Sequence, residues 1–178
     1  HVGAAIGFPL GQTTIAAKVF EAQDAIHNGA DEIDYMINLT EVKAGNWDYV
    51  KEEMQQIVTV CRSSKRLCKV ILETCYLTQD EIIQICKIAV DVKPDFVKTS
   101  TGFGSGGATA EDVQLMRRCV GNAVKVKASG GIRDALTFKK MIACGALRIG
   151  TSAGVSIIRE LQTEAFKHSG YIAIPEEY

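Results

Sequence analysis

The stretch DFVKTSTGFGSGGAT, at residues 95–109, passes from a short strand pattern through a glycine-rich loop to the start of a helix. Residues 96–99 read as a strand, and Thr109 with Asp112 three positions later supplies the hydroxyl and the acid that begin a helix. Lys98 lies inside the strand pattern. Because an unpaired lysine is costly between two apolar layers, its position predicts a sheet with one polar face.

The same order of strand, loop and helix recurs along the chain. Thr78 with Glu81 marks another helix start, and Asn28 with Gly29 marks a helix end. Six apolar runs are each followed by helical periodicity, and they lie at residues 2–8, 32–37, 69–72, 96–99, 124–128 and 147–150. Their spacing of about 30 residues is that of one βα unit. The sequence therefore predicts six βα units and a parallel sheet.

Charged side chains recur on one face of the predicted strands. They are Asp34, Lys69, Glu73, Lys98, Lys125 and Lys127. An open, doubly wound sheet would direct these charges at helices, whereas a closed barrel gives them one common interior. We therefore predict an α/β fold of the (β/α)8 TIM barrel type.

The length of the chain limits how much of such a barrel it contains. A complete barrel typically takes about 250 residues, and this chain has 178. We expect residues 1–178 to form a single barrel domain with about six βα units, strands 3 to 8, without its N-terminal part. Residues 163–178 are expected to form a C-terminal tail.

Lys98 and Lys127 lie on consecutive predicted strands, near the end of each. Neighbouring strands are about 4.8 Å apart, so the two ammonium groups are expected to repel each other. At an effective dielectric constant of about 20 the repulsion is on the order of 3 kcal/mol, or roughly two pKa units. One lysine would then be a neutral amine near pH 7, as a Schiff-base nucleophile must be. The alternative for Lys69, Lys125 and Glu73 is a structural ion pair.

Glycine clusters follow the last three predicted strands. They lie at residues 102–107, 129–131 and 150–154. Exposed amides in such turns bind anions, and in barrels the loops after the last two strands commonly hold a phosphate. The pattern G-x-G-x-x-G at 102–107 also resembles a dinucleotide site, but no acidic residue follows about 20 positions later. A turn role is favoured for Gly104, Gly106 and Gly107.

Composition excludes several classes of protein. The chain has 20 basic and 21 acidic residues and a net charge of -1, which is not the basic footprint of a nucleic-acid-binding protein. Its apolar runs are far shorter than the roughly 20 residues of a membrane span. Six cysteines occur singly and the three histidines do not cluster with acids. We expect a cytoplasmic protein with reduced thiols, no metal, no membrane contact and no nucleic-acid partner.

Several strings together resemble one family. EIDYMIN (32–38), KVILETCYL (69–77), DFVKTSTGFGSGGAT (95–109), VKASGGIR (126–133) and RIGTSAGV (148–155) are similar, in this order and spacing, to deoxyribose-phosphate aldolase. The resemblance implies a class I aldolase without cofactor. Such lyases reversibly cleave 2-deoxy-D-ribose 5-phosphate to D-glyceraldehyde 3-phosphate and acetaldehyde, a step of deoxyribonucleotide catabolism.

The resemblance also implies roles for individual residues. Lys98 matches the Schiff-base lysine, Lys127 the second lysine that lowers the pKa of the first, and Asp34 the aspartate of the proton relay. Lys69 matches a charged residue that lines the site. The residues implied to hold the phosphate are Gly102, Gly130, Gly131, Gly150 and Ser152. The family also commonly forms dimers, so a homodimer is expected.

The sequence departs from the family pattern in three places. Ala153 stands where many relatives have a serine, and Phe103 where some have a lysine, so altered phosphate affinity is expected. Tyr178 ends the chain, as a tyrosine ends the tail that reaches the site in some relatives. Two alternatives stay open: an aldolase or other barrel enzyme for a different phosphorylated sugar, and an inactive, truncated paralogue.

Overall fold

The computed structural model describes residues 1–169, and the side chains of residues 1–163. Within this part of the chain, six strands form one sheet: β1 (Gly3–Ile6), β2 (Glu32–Met36), β3 (Leu67–Ile71), β4 (Phe96–Lys98), β5 (Lys125–Ser129) and β6 (Arg148–Gly150). The helices are α1 (Ile15–His27), α2 (Leu39–Lys43), α3 (Trp47–Ser63), α4 (Gln79–Val92), α5 (Ala110–Val120), α6 (Ala135–Ala143) and α7 (Gly154–Ser169). The six predicted βα units are confirmed.

All neighbouring strands are parallel, and their order in the sheet is their order in the chain. A doubly wound sheet would reverse its strand order at a switch point. The continuous order is that of a (β/α)8 barrel. The register places Lys98 directly beside Lys127, as the sequence predicted.

The sheet curls into a half-barrel. Arg148 on β6 forms an ion pair of 2.5 Å with Glu32 on β2, although these strands are four positions apart in the sheet. In a flat sheet with strands about 4.8 Å apart the two backbones would be separated by roughly 19 Å. The inner surface of the half-barrel therefore carries the charged face that the sequence predicted.

The outer face of the sheet is apolar and covered by helices. Ile33, Tyr35, Val70, Val97 and Val126 are all fully buried on it. Helix α4 begins with a complete capping box: Thr78 accepts from the Glu81 amide, and Glu81 accepts from the Thr78 amide. The apolar contacts of the outer face hold the helices against the sheet, and the inner face is left available for an active site.

One buried ion pair lies on the outer side, where the sequence predicted only apolar packing. Lys18 on α1 donates to Glu53 on α3 at 2.5 Å and to the carbonyl of Met36 at 2.8 Å. The second oxygen of Glu53 accepts from the amide of Asn38 at 3.1 Å. Both side chains are 0% exposed. The pair therefore links helices α1 and α3 to each other and to the carboxyl end of β2.

Two local elements were not predicted. Asn38 caps the short helix α2, and residues Thr74–Tyr76 form a 3-10 turn after Glu73, whose φ of 56° is left-handed. Helix α7 runs to Ser169, into the stretch predicted as a tail, and Tyr178 lies outside the described residues. Among the helices of residues 1–169, none has the length and apolar character that crossing a bilayer requires.

Candidate active site

Three lysines converge on the carboxylate of Asp34 inside the half-barrel. Lys98 and Lys127 both donate to Oδ2, at 2.8 and 2.6 Å, and Lys69 donates to Oδ1 at 2.5 Å. The separation of the Lys98 and Lys127 nitrogens therefore cannot exceed the sum of those first two distances. Lys69 makes a second ion pair, at 2.6 Å, with Glu32. Of the predicted catalytic residues, Lys98, Lys127 and Asp34 thus lie together.

Strand pairing fixes the two lysines beside each other. Just after β4, at the last residue of β5, the Thr99 hydroxyl donates to the Ser129 carbonyl and accepts from the Ser129 amide, both at 3.1 Å. Gly150 on β6 gives Lys127 its space, because a Cβ there would lie 3.2 Å from Lys127 Cε and 2.9 Å from Ser129 Cβ. The lysine positions are therefore set by backbone register and by one obligatory small residue.

The charges perturb one another strongly. Burial favours the neutral acid, but the ammonium groups of Lys98 and Lys127 outweigh it and hold the pKa of Asp34 well below its ordinary value. Burial, together with repulsion by Lys98, lowers the pKa of Lys127 to about 8 despite the attraction of Asp34. The residues predicted one lysine with a lowered pKa in this pair without choosing between them, and the resemblance implied that it is Lys98. The structure instead lowers the pKa of Lys127, because its ammonium group is buried beside that of Lys98.

A cavity of about 440 Å³ opens beside the lysines at the carboxyl ends of the strands. It is lined by Lys98, Thr101, Gly102, Phe103, Lys127, Ser129, Gly130, Gly131, Ile132, Arg133, Gly150, Thr151 and Ser152. All five predicted phosphate-binding residues in the glycine loops belong to this lining. Lys69 is different, since its side chain is 1% exposed and bound between two carboxylates.

The glycine loops pack closely on each other. A Cβ at Gly107 would lie 2.3 Å from the carbonyl oxygen of Gly130, so only glycine permits this contact. The amide of Ala108 donates to the carbonyls of Ser129 and Gly130, at 3.1 and 3.0 Å. These contacts support the turn role that the sequence favoured for the G-x-G-x-x-G stretch.

Some cavity residues were missed by the sequence reasoning. Arg133 adds a cation to the lining, and its place two positions after Gly131 is the signal that would have found it. Phe103 is 79% exposed and makes an edge contact of 5.6 Å with Phe8 from the loop after β1. The contact between Phe8 and Phe103 was not predicted, because the two residues are 95 positions apart in the chain.

Comparison with known proteins gives a consistent result. A family model described as DeoC/LacD family aldolase matches residues 1–162. Deoxyribose-phosphate aldolase of Lactobacillus acidophilus is 59% identical over 160 residues, which are 90% of this chain and 68% of that protein. The solved structure of QR15, an aldolase, has a TM-score of 0.87 at 43% identity, covering 94% of this chain and 75% of that chain.

A third relative comes from Aeropyrum pernix. The solved structure of its deoxyribose phosphate aldolase, described as tetrameric, has a TM-score of 0.81 at 32% identity. The match covers 93% of this chain and 68% of that chain. The homodimer expected for this chain stays a prediction. Because the family model spans almost the whole described chain and the relatives share its fold and much of its sequence, the chain belongs to the DeoC/LacD family of aldolases, which are lyases.

Proposed function

We propose that this aldolase cleaves 2-deoxy-D-ribose 5-phosphate reversibly into D-glyceraldehyde 3-phosphate and acetaldehyde, through a Schiff base on Lys98. The observation that carries the proposal is the convergence of Lys98 and Lys127 on one oxygen of Asp34, beside a cavity lined by three glycine loops. The names of the relatives supply the substrate, and the resemblance supplies the choice of Lys98 over Lys127.

The first half of the reaction builds an electron sink. The lone pair of the Lys98 nitrogen adds to the aldehyde carbon of the open-chain sugar, and loss of water leaves an iminium ion. A base then removes the proton of the C3 hydroxyl group. The C2–C3 bond breaks, its electrons flow to the iminium nitrogen, and glyceraldehyde 3-phosphate leaves. Protonation of the enamine at C2 and addition of water release acetaldehyde and restore the lysine.

The geometry supports a proton route through Asp34. Lys127, with its pKa of about 8, loses a proton more readily than an ordinary lysine. Since both lysine nitrogens contact Asp34 Oδ2, a proton can pass from Lys98 to Lys127 by way of that oxygen. This leaves Lys98 neutral for attack. Lys127 is then the ammonium group that protonates the departing hydroxyl or the enamine carbon.

The glycine loops that line the cavity support binding of the substrate phosphate there. Among the residues that the structure describes, the lining of the cavity contains no carboxylate, and its loops supply the backbone amides and the hydroxyl group that a phosphate needs. These groups belong to Gly102, Gly130, Gly131, Gly150 and Ser152. Arg133 adds a positive charge to the same lining. The ion pairs of Lys69 with Asp34 and Glu32 support the structural alternative for this lysine, in which it holds the two carboxylates in place.

Borohydride trapping tests the proposal. The chain is incubated with acetaldehyde, reduced, digested and mapped by mass spectrometry, with Lys98→Ala, Lys127→Ala and the exposed-residue control Lys125→Ala in parallel. An ethyl adduct on Lys98 that disappears only in Lys98→Ala is expected. Cleavage of deoxyribose 5-phosphate is then followed by coupled assay of the glyceraldehyde 3-phosphate.

Three results would contradict the proposal. An adduct confined to Lys127 would reverse the two lysine roles. A folded protein that gives no adduct on either lysine would be an inactive relative. Adduct formation with no cleavage of deoxyribose 5-phosphate would move the assignment to another phosphorylated sugar.

A further inference from the structure

We propose that Glu73 is a positioning residue for substrate phosphate, because it holds the loop of residues 101–104, here called the Thr101 loop. The inference rests on the proposed function and deepens it. Asp34 and the lysines supply the reacting groups, and Glu73 is outside that cluster. Its carboxylate lies beneath the loop that contains Gly102, one of the residues assigned to the phosphate.

The carboxylate of Glu73 accepts mainly from Thr101, and in addition the thiol of Cys75 donates to Oε1 at 3.9 Å. The amide of Thr101 donates to both carboxylate oxygens, at 3.2 Å each. The hydroxyl of Thr101 donates to Oε2 in a very short hydrogen bond. Glu73 as a whole is 1% exposed. The buried carboxylate of Glu73 therefore accepts most of its hydrogen bonds from Thr101 and holds that residue in place.

The backbone of Glu73 shows that the position is specified. Its φ of 56° and ψ of 62° are left-handed, a conformation that residues other than glycine rarely adopt. The residue comes two positions after the end of β3, and the next amide, of Thr74, donates to the carbonyl of Thr99 at 3.0 Å. Such a conformation at a strand end beside an active site points to a functional constraint.

The effect of Glu73 reaches the cavity through two contacts. The hydroxyl of Thr101 accepts from the amide of Phe103 at 3.0 Å, which closes the turn around Gly102. A Cβ at Gly104 would lie 3.1 Å from the Glu73 carboxyl carbon, so the loop bends closely over the carboxylate. Thr101, Gly102 and Phe103 all line the cavity. The carboxylate thus determines the shape of the wall that faces the phosphate.

A carboxylate is suited to this role and an amide is not. Glu73 accepts at both oxygens, and both of its partner groups on Thr101 are donors. Glutamine of the same size would present an NH2 group to one of those donors. Glu73→Gln therefore loosens the loop without opening a void in the core.

The test separates phosphate recognition from imine chemistry. KM and kcat are measured with deoxyribose 5-phosphate and with unphosphorylated deoxyribose, and acetaldehyde trapping at Lys98 is measured alongside. Loss of a hydrogen bond to a charged group predicts a roughly tenfold rise of KM for the phosphorylated sugar in Glu73→Gln. We expect trapping at Lys98 and the parameters for unphosphorylated deoxyribose to stay within about twofold, since Asp34 holds Lys98 independently.

The partner residue supplies a matched control. Thr101→Val removes the hydroxyl but keeps the shape and is expected to raise the same KM, whereas Thr101→Ser retains the hydroxyl and the low KM. In the double variant Glu73→Gln with Thr101→Val, the effects should be less than additive because both remove one interaction. Additive effects, or a KM for deoxyribose 5-phosphate unchanged in Glu73→Gln, would overturn the inference.

A calorimetric titration with inorganic phosphate keeps this test apart from turnover. The wild-type chain is expected to bind phosphate roughly tenfold more tightly than Glu73→Gln. Equal affinity, or no binding by the wild-type chain, would contradict the role of Glu73. Failure of the wild-type chain to trap acetaldehyde would instead contradict the proposed function. A parallel fall of trapping and phosphate binding in Glu73→Gln would assign the residue to folding alone.

Discussion

Two sites in this molecule bury lysine ammonium groups against carboxylates, but the ratio of lysines to carboxylates differs between them. On the outer side of the sheet, Lys18 and Glu53 form one closed pair, and the remaining contacts of both are satisfied by Met36 and Asn38. On the inner side, Asp34 alone receives the ammonium groups of three lysines, two of which line an open cavity.

The difference shows what separates a structural ion pair from a reactive one. The outer pair is balanced in charge and closed to solvent, so the removal of either partner leaves an uncompensated buried charge. The inner site has more cations than its nearest carboxylate neutralises, and each lysine disfavours the charge of the next. At the inner site, burial and the repulsion of neighbouring lysines therefore act together to favour a neutral amine, and the cavity makes that amine accessible.

The largest expected effect is on the inner site. Lys98→Met is expected to reduce the rate of acetaldehyde trapping by at least about a thousandfold, because it removes the attacking group. Its free energy of unfolding should not fall by more than about 1 kcal/mol, since a repulsion is removed with the lysine. The rate is measured by mass spectrometry and the stability by urea unfolding. Trapping at the wild-type rate would exclude Lys98 as the nucleophile.

At the outer site we expect a loss of stability without a loss of trapping. Glu53→Gln leaves Lys18 buried without a counter-charge and should lower the free energy of unfolding by about 3–5 kcal/mol. The trapping rate per folded molecule should be unchanged, because Glu53 takes no part in the inner site. The exposed neighbour Glu52→Gln is the control, with an expected change within about 0.5 kcal/mol. Equal stability of the two variants would contradict a structural role for the pair.

A smaller effect is expected from removing the shared carboxylate. Asp34→Asn takes away the anion that favours charged lysines, so the pKa of Lys127 should fall further below about 8. The pH at which trapping reaches half its maximal rate should then move down by about 1 unit. The pH profile of trapping in wild type and variant measures this. A shift to higher pH would mean that Asp34 does not stabilise the charged lysines.

The smallest effect is expected at the amino end of the inner face. Lys125 is exposed and lies 5.6 Å from the centre of the Phe96 ring, away from the cavity. Lys125→Ala should leave trapping unchanged and lower the free energy of unfolding by no more than about 1 kcal/mol, the value of an exposed cation–π contact. A tenfold loss of trapping would show that the reactive region is wider than the three lysines around Asp34.

Much of this contrast was predictable from the sequence. Alternation on β2, β4 and β5 placed Asp34, Lys98 and Lys127 on one face, and the glycine loops followed the strands whose ends form the cavity. Both inferences depend on a period of two residues and on parallel pairing, which are local properties. The choice of a barrel over an open sheet followed from the same charges.

The remainder depends on contacts between distant parts of the chain. Lys18 and Glu53 are 35 positions apart in the chain and lie on different helices, so helical periodicity could not predict that they form a contact. Glu73 was predicted to continue the inner face of β3, but its left-handed backbone turns it beneath Thr101. Which lysine has the lowered pKa was also beyond the sequence, since it depends on the burial of each ammonium group.

The most direct test of the account is an NMR titration of the lysine side chains. The protein is labelled with 13C at lysine Cε, and the resonances are assigned by comparison with Lys98→Met and Lys127→Met. Lys127 is expected to titrate with a midpoint of about pH 8, well below the ordinary lysine pKa of about 10.4. A midpoint near 10.4 for Lys127 would contradict the claim that burial and the neighbouring lysines around Asp34 produce a neutral amine.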